Sequence, residues 1–260
     1  MAKMLKLVEA GPIRKAALYD RVRPSDPPPQ RQAKAKATRA VQRRLNIKNT
    51  AENLELCLAV NFQTPGSARV ATLTFDEKHK PKDRNDVNCK LQRFRNKYSA
   101  ACAAEGLPQP VMFWCIEVLT SQNNRWHIHI VISAFGNDDE RIRRCWSYGS
   151  DVEIDKLRVD KEKNYTTLAR YMTKEARECQ DYNAKPGARS WSHTLNAKKP
   201  EIDTMIVPDD YKLEPPEGCT VLLDERQTNE WTAWHVIKCY LNGANFSSAP
   251  HAKRNRKRKI

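Results

Sequence analysis

Glycine is scarce in this chain, 8 residues among 260, and none of them is followed by lysine. The phosphate-cradling loop GxxxxGK[ST] is therefore absent, and with it a fused nucleotide-driven helicase of that type. No two of the eight cysteines form a CxxC pair, so neither a zinc ribbon nor a thioredoxin-type motif is supported. Apolar runs are short, and none reaches the length needed to span a membrane. The N-terminal stretch MAKMLKLVEAGPIRK lacks the apolar core of a secretory signal, so free thiols outside an oxidising compartment are expected. Internal repeats are also missing.

What the chain does have is positive charge. Forty-six Lys and Arg face thirty-one Asp and Glu, a formal charge of +15, which favours a polyanionic partner such as nucleic acid. The charge is uneven: residues 1–50 hold thirteen basic and three acidic side chains, and residues 251–260 (HAKRNRKRKI) add six basic ones. The middle, 51–250, is then left near neutrality. General phosphate affinity is assigned to the flanks and a specific site to the middle. The reading divides the chain into a basic, partly extended segment (1–44), a main domain (45–205), a strand-rich extension (206–250) and a basic tail (251–260).

The Pro-rich stretch Arg23 to Gln32 (RPSDPPPQRQ) reads as an extended connector, and Ala33 to Ile47 as an exposed basic helix. Alternation over Val70 to Phe75 (VATLTF) predicts a strand. Leu91, Phe94, Tyr98 and Cys102 recur at helical spacing and predict a helix over 85–105. The run VMFWCIEVLTSQNNRWHIHIVI predicts a β-hairpin turning at 121–124. A helix over 138–146, a short strand near Val152 and Ile154, and a helix from about 161 to 179 follow. The order β-α-β-β-α-β-α predicts an α+β fold, a central antiparallel sheet with helices packed on it. Strands are also expected at 219–223 and 232–241.

Chemistry concentrates at two places. His127 and His129 are two apart in a strand, so both imidazoles leave one face, while Trp126, Ile128 and Ile130 leave the other. A turn centred near residues 122 and 123 sets Glu117 opposite 127 or 129, and a carboxylate on an otherwise apolar strand is costly without a partner. Downstream, Leu168 and Met172 can bury one stripe of a helix, while Tyr171 and Lys174, three apart, share an adjacent face. A nucleophilic phenol, with a reference pKa of about 10, needs nearby positive charge, which Lys174 and a metal ion would supply.

These residues resemble the HUH endonucleases, and within them the rolling-circle replication initiators of phages and plasmids. Leu73-Thr74-Phe75, His127-Ile128-His129 and Tyr171-Met172-Thr173-Lys174 stand in the order of that family's three motifs, and Glu117 falls where many phage-type members carry a third metal ligand. WSYG (146–149), ARSWSHTLN (188–196) and KKPE (198–201) are also similar to family segments, so the resemblance spans roughly residues 45–205. It implies the HUH fold and a divalent metal, Mn²⁺ or Mg²⁺, on His127, His129 and Glu117. It further implies nicking of single-stranded DNA by Tyr171, assisted by Lys174, with a 5′-phosphotyrosine and a free 3′-hydroxyl as products. Host helicase and DNA polymerase would be the partners, in the cytoplasm of a bacterial host and with no membrane. Members with two tyrosines carry the second four residues before the first; that position here is Thr167. Tyr165 lies six residues back, about 600° around a helix, so a single-tyrosine enzyme is implied. A plasmid relaxase or single-tyrosine transposase would share this chemistry. A non-catalytic basic domain binding RNA or DNA, with structural histidines, is the alternative from another class.

Overall fold

The computed structural model describes residues 3–20, 40–64, 66–119, 125–161, 164–181, 190–228 and 233–242, the side chains of 40–45 and 174–181 excepted. The chain opens with a hairpin, β1 (Lys3–Ala10) and β2 (Ile13–Asp20), joined by Gly11-Pro12. Gly11 turns with φ 57°, and a Cβ there would collide with the carbonyl oxygen of Ala59 in helix α1 (Ala40–Asn61). Only glycine allows both the turn and this backbone contact. Next come β3 (Ala68–Thr74), α2 (Arg84–Ala104), β4 (Met112–Leu119), β5 (Arg125–Ser133), α3 (Asp138–Cys145), β6 (Val152–Lys156) and α4 (Thr166–Asp181). That is the predicted β-α-β-β-α-β-α order, with boundaries moved by a few residues. The chain continues through β7 (Ser192–His193), β8 (Glu201–Val207), β9 (Cys219–Thr228) and β10 (Ala233–Leu241).

The strands form two antiparallel five-stranded sheets, β6-β3-β5-β4-β7 and β8-β1-β2-β10-β9. With helices packed on them, this is the expected α+β class. One face of the first sheet packs Leu73, Trp114, Ile116, Ile128 and Ile130 against Leu91, Phe94 and Tyr98 of α2 and Ile142 of α3. Its other face sets Phe113, Cys115 and Val131 against Leu58 of α1 and Met172 of α4, in a cluster that also takes in Val8, Ala10 and Ile13 of the hairpin. Helix α1 thus lies between the two sheets. Leu5, Ala16, Leu18 and Ile237 bury the far face of the second sheet under Leu213.

Two expectations change. The helix placed at 33–47 as an exposed basic element runs from 40 to 61, and Leu54 and Leu58 in its second half are fully buried. It is flanked on two sides, so it shows no single apolar stripe that periodicity could reveal. Three strands, β1, β2 and β8, stand where the sequence reading places none. The connector 23–32, residues 33–39, the turn 121–124 and the tail 251–260 lie outside the described residues. No described helix is long and apolar enough to cross a membrane.

The second sheet is tied to α1 by a buried ion pair, Lys238 Nζ to Glu55 Oε1 at 2.5 Å. Removing one partner strands the other charge in the interior. Lys238→Ala is accordingly expected to destabilise the fold by about 3–5 kcal/mol, read as a lower denaturant midpoint at unchanged slope. A loss under about 1 kcal/mol would mean that water reaches Glu55.

Candidate active site

The register of β4 on β5 sets Glu117 opposite His127 and Cys115 opposite His129, while β3 on the other side sets Thr74 opposite His127 and Thr72 opposite His129. All of these side chains leave the face that packs on α1 and α4. Glu117 and His129 are each under 5% exposed, and the cost of burying them is met by contact: His129 Nε2 lies 2.9 Å from Glu117 Oε2. Its other ring nitrogen, Nδ1, lies 3.2 Å from Thr72 Oγ1. A threonine hydroxyl can donate or accept, so it supports the ring whichever nitrogen carries the proton. Thr72 is a site residue that sequence reasoning missed; it lies one place before the Leu73-Thr74-Phe75 triplet, and its role follows only from strand pairing.

His127 is half-buried, and its Nε2 is a buried nitrogen with no hydrogen-bond partner among the described residues. Burial, the main cause, lowers its pKa below the ordinary histidine value, so the ring is neutral near pH 7, as metal ligation requires. The two histidine rings are nearly parallel, 13° apart, with centroids 6.5 Å from each other. Among the described residues no three His, Cys, Asp or Glu side chains converge as they stand on one metal position. The His129–Glu117 pair is nevertheless spaced like two neighbouring ligands on one octahedral ion, about 3 Å for bonds of about 2.1 Å, and the lone His127 nitrogen shares their face. By donor chemistry the three fit a hard-to-borderline divalent cation.

Helix α4 brings the phenol. Its start is fixed by Asp160, which accepts from the backbone N–H of Asn164 and Thr167, and by Asn164 Oδ1, which accepts from Thr166 N at 3.1 Å. Ala169 and Met172 bury one side of the helix. Tyr171 is left 47% exposed, with its ring edge-on to His129 at 5.1 Å between centroids. Lys174 follows one turn later in the same helix; its side chain lies outside the described residues. Tyr165 points elsewhere: it is buried, its hydroxyl donates to the Phe62 carbonyl at 2.6 Å, and burial pushes its pKa up to about 12. Thr167 is exposed and donates to Asp160.

The Leu73-Thr74-Phe75 triplet and the WSYG segment turn out to be one structure. Trp146 Nε1 donates to the Thr74 carbonyl at 2.8 Å, Thr74 Oγ1 donates to the carbonyl of Asp151, and Phe75 meets Trp146 edge-on. A Cβ on Gly149 would lie 2.5 Å from Thr74 O, which explains glycine at the end of WSYG. The loop thereby braces the end of β3 that faces His127.

Comparison with known families matches residues 68–176 to a model described as replication-associated protein, of the ORF2 type. That span starts at β3 and ends within α4, so it takes in Glu117, His127, His129, Tyr171 and Lys174. In this part the chain is similar to replication-associated proteins, which supports a replication initiator. Comparisons with curated proteins and with solved structures returned no match.

Proposed function

We propose that the chain initiates rolling-circle replication by nicking single-stranded DNA at an origin through metal-dependent transesterification. The observation that carries this is an exposed phenol, Tyr171, set edge-on against His129, which contacts Glu117 on the sheet face shared with His127. The similarity of residues 68–176 to replication-associated proteins points the same way.

In this reading Tyr171 Oη attacks the scissile phosphorus. A new P–O bond forms to the phenol oxygen, the bond to the 3′ oxygen breaks, the phenol gives up its proton and the leaving 3′ oxygen takes one. The products are a 5′-phosphotyrosine and a free 3′-hydroxyl on which a polymerase can start. His127, His129 and Glu117 would hold Mn²⁺ or Mg²⁺, which when bound polarises the phosphate and offsets its developing charge. Thr72 keeps the His129 ring oriented. Lys174 neutralises the attacking phenolate or the phosphate. The α1 and α4 layer limits water around the buried pair, which strengthens its electrostatics.

The test is covalent trapping: the protein is incubated with labelled single-stranded oligonucleotides and Mn²⁺, then denatured. A metal-dependent labelled protein band supports the reading. DNA binding without any adduct would instead favour a non-catalytic nucleic-acid-binding domain.

The basic tail is assigned to phosphate affinity. Deleting residues 251–260, which hold six cations, is expected to weaken DNA binding and to flatten its dependence on salt, because fewer counterions are released. An unchanged salt slope would show that the tail does not touch DNA.

A further inference from the structure

Tyr171 also forms part of the lining of a cavity of about 740 Å³, within the range of about 300–1,000 Å³ that ligand pockets occupy. Three of its walls are apolar side chains from outside the matched segment: Ile47 of α1 and Leu222 and Leu223 of β9, all half-buried. Asn164 and Thr173 supply neutral hydrogen-bonding groups from the other side, and the Glu55–Lys238 ion pair lies at the buried end.

We infer that this cleft takes the base next to the scissile phosphate, and that it favours adenine, cytosine or guanine over thymine. The inference rests on the nicking function proposed above. A phosphate joined to Tyr171 fixes its neighbouring nucleotide within a few ångströms, and the cleft begins at that side chain. Phosphate itself does not suit the interior, because Glu52, Glu55 and Glu225 all line it. The three carboxylates contact Lys15, Lys238 and Lys48, respectively. Each lysine contact leaves carboxylate lone pairs to accept from an exocyclic amine, which thymine lacks. The apolar walls suit the flat faces of an unstacked base, as in single-strand recognition generally. Arg170 stands exposed beside Tyr171, with no ion pair among the described residues, where the backbone phosphate would pass.

The experiment uses the full chain and a single-stranded oligonucleotide that it cuts, identified from a random pool with Mn²⁺. Substrates with an abasic site or thymine at each position flanking the cut are compared by kcat/KM. For one flanking position the wild type is expected to lose tenfold or more with either replacement. Leu223→Trp, which fills the cleft from β9, should raise KM tenfold or more and bring abasic and intact substrates to the same kcat/KM. Circular dichroism checks its fold, and Glu225→Gln is the second variant, expected to narrow the discrimination against thymine. If abasic substrates are cut within twofold of intact ones, or if both variants keep the wild-type base preference, the cleft assignment is overturned while nicking stands. If no strand is ever cut in Mn²⁺, the nicking function fails first and takes the cleft assignment with it.

Discussion

Tyr171→Phe is expected to abolish the covalent protein–DNA adduct, whereas Tyr165→Phe and Thr167→Ala should keep first-strand cleavage within about tenfold of wild type, about 1.4 kcal/mol of barrier. Only Tyr171 combines exposure with a place against His129. Tyr165 is spent on the Phe62 carbonyl inside the core, so losing its hydroxyl should cost stability, about 1–3 kcal/mol, and little chemistry. The hydroxyl of Thr167 is far less acidic than a phenol and faces Asp160. Peptide mapping of the adduct by mass spectrometry decides the matter. A nucleotide linked to Tyr165, or an adduct persisting in Tyr171→Phe, would sink the assignment. With one nucleophile, closing a replication round would need Tyr171 of a second copy or a hydrolytic step.

The second large effect concerns the histidines. His127→Ala and His129→Ala are each expected to reduce nicking by at least a hundredfold in saturating Mn²⁺, while non-specific DNA affinity stays within about twofold. The two readouts separate because general affinity is assigned to basic flanks, and the histidines belong to a buried, nearly neutral region. His129→Ala should be the more damaging to stability, since it leaves the Glu117 carboxylate buried without its imidazole contact. His127 has no such partner, so His127→Ala should fold like wild type and isolate the chemical role. Nicking assays and filter binding on the same preparations read both quantities, and wild-type nicking by either variant would remove the metal assignment.

Periodicity placed the central elements because each answers to a simple rule. Strands β3, β4 and β5 bury one face on α2, and α2 carries its apolar residues at helical spacing. His127 and His129 were bound to share a face, since alternation in a strand is geometric. The hairpin register was open by two residues in the sequence; β4 pairing on β5 sets Glu117 opposite His127, yet its contact is diagonal, to His129. Backbone pairing alone does not reveal that choice.

The sequence by itself determined the α+β class, the order of seven elements, the common face of the two histidines and the uneven distribution of charge. These depend on local spacing and composition. The second sheet was decided by tertiary structure, and β1 shows why: Leu5 is buried on one face under Leu213, while Val8 and Ala10 are buried on the other against α1. A strand whose covered face changes partway has no clean alternation to read. Likewise Thr72, the Gly149 contact with Thr74 and the cleft beside Tyr171 join residues far apart in the chain, and only packing brings them together.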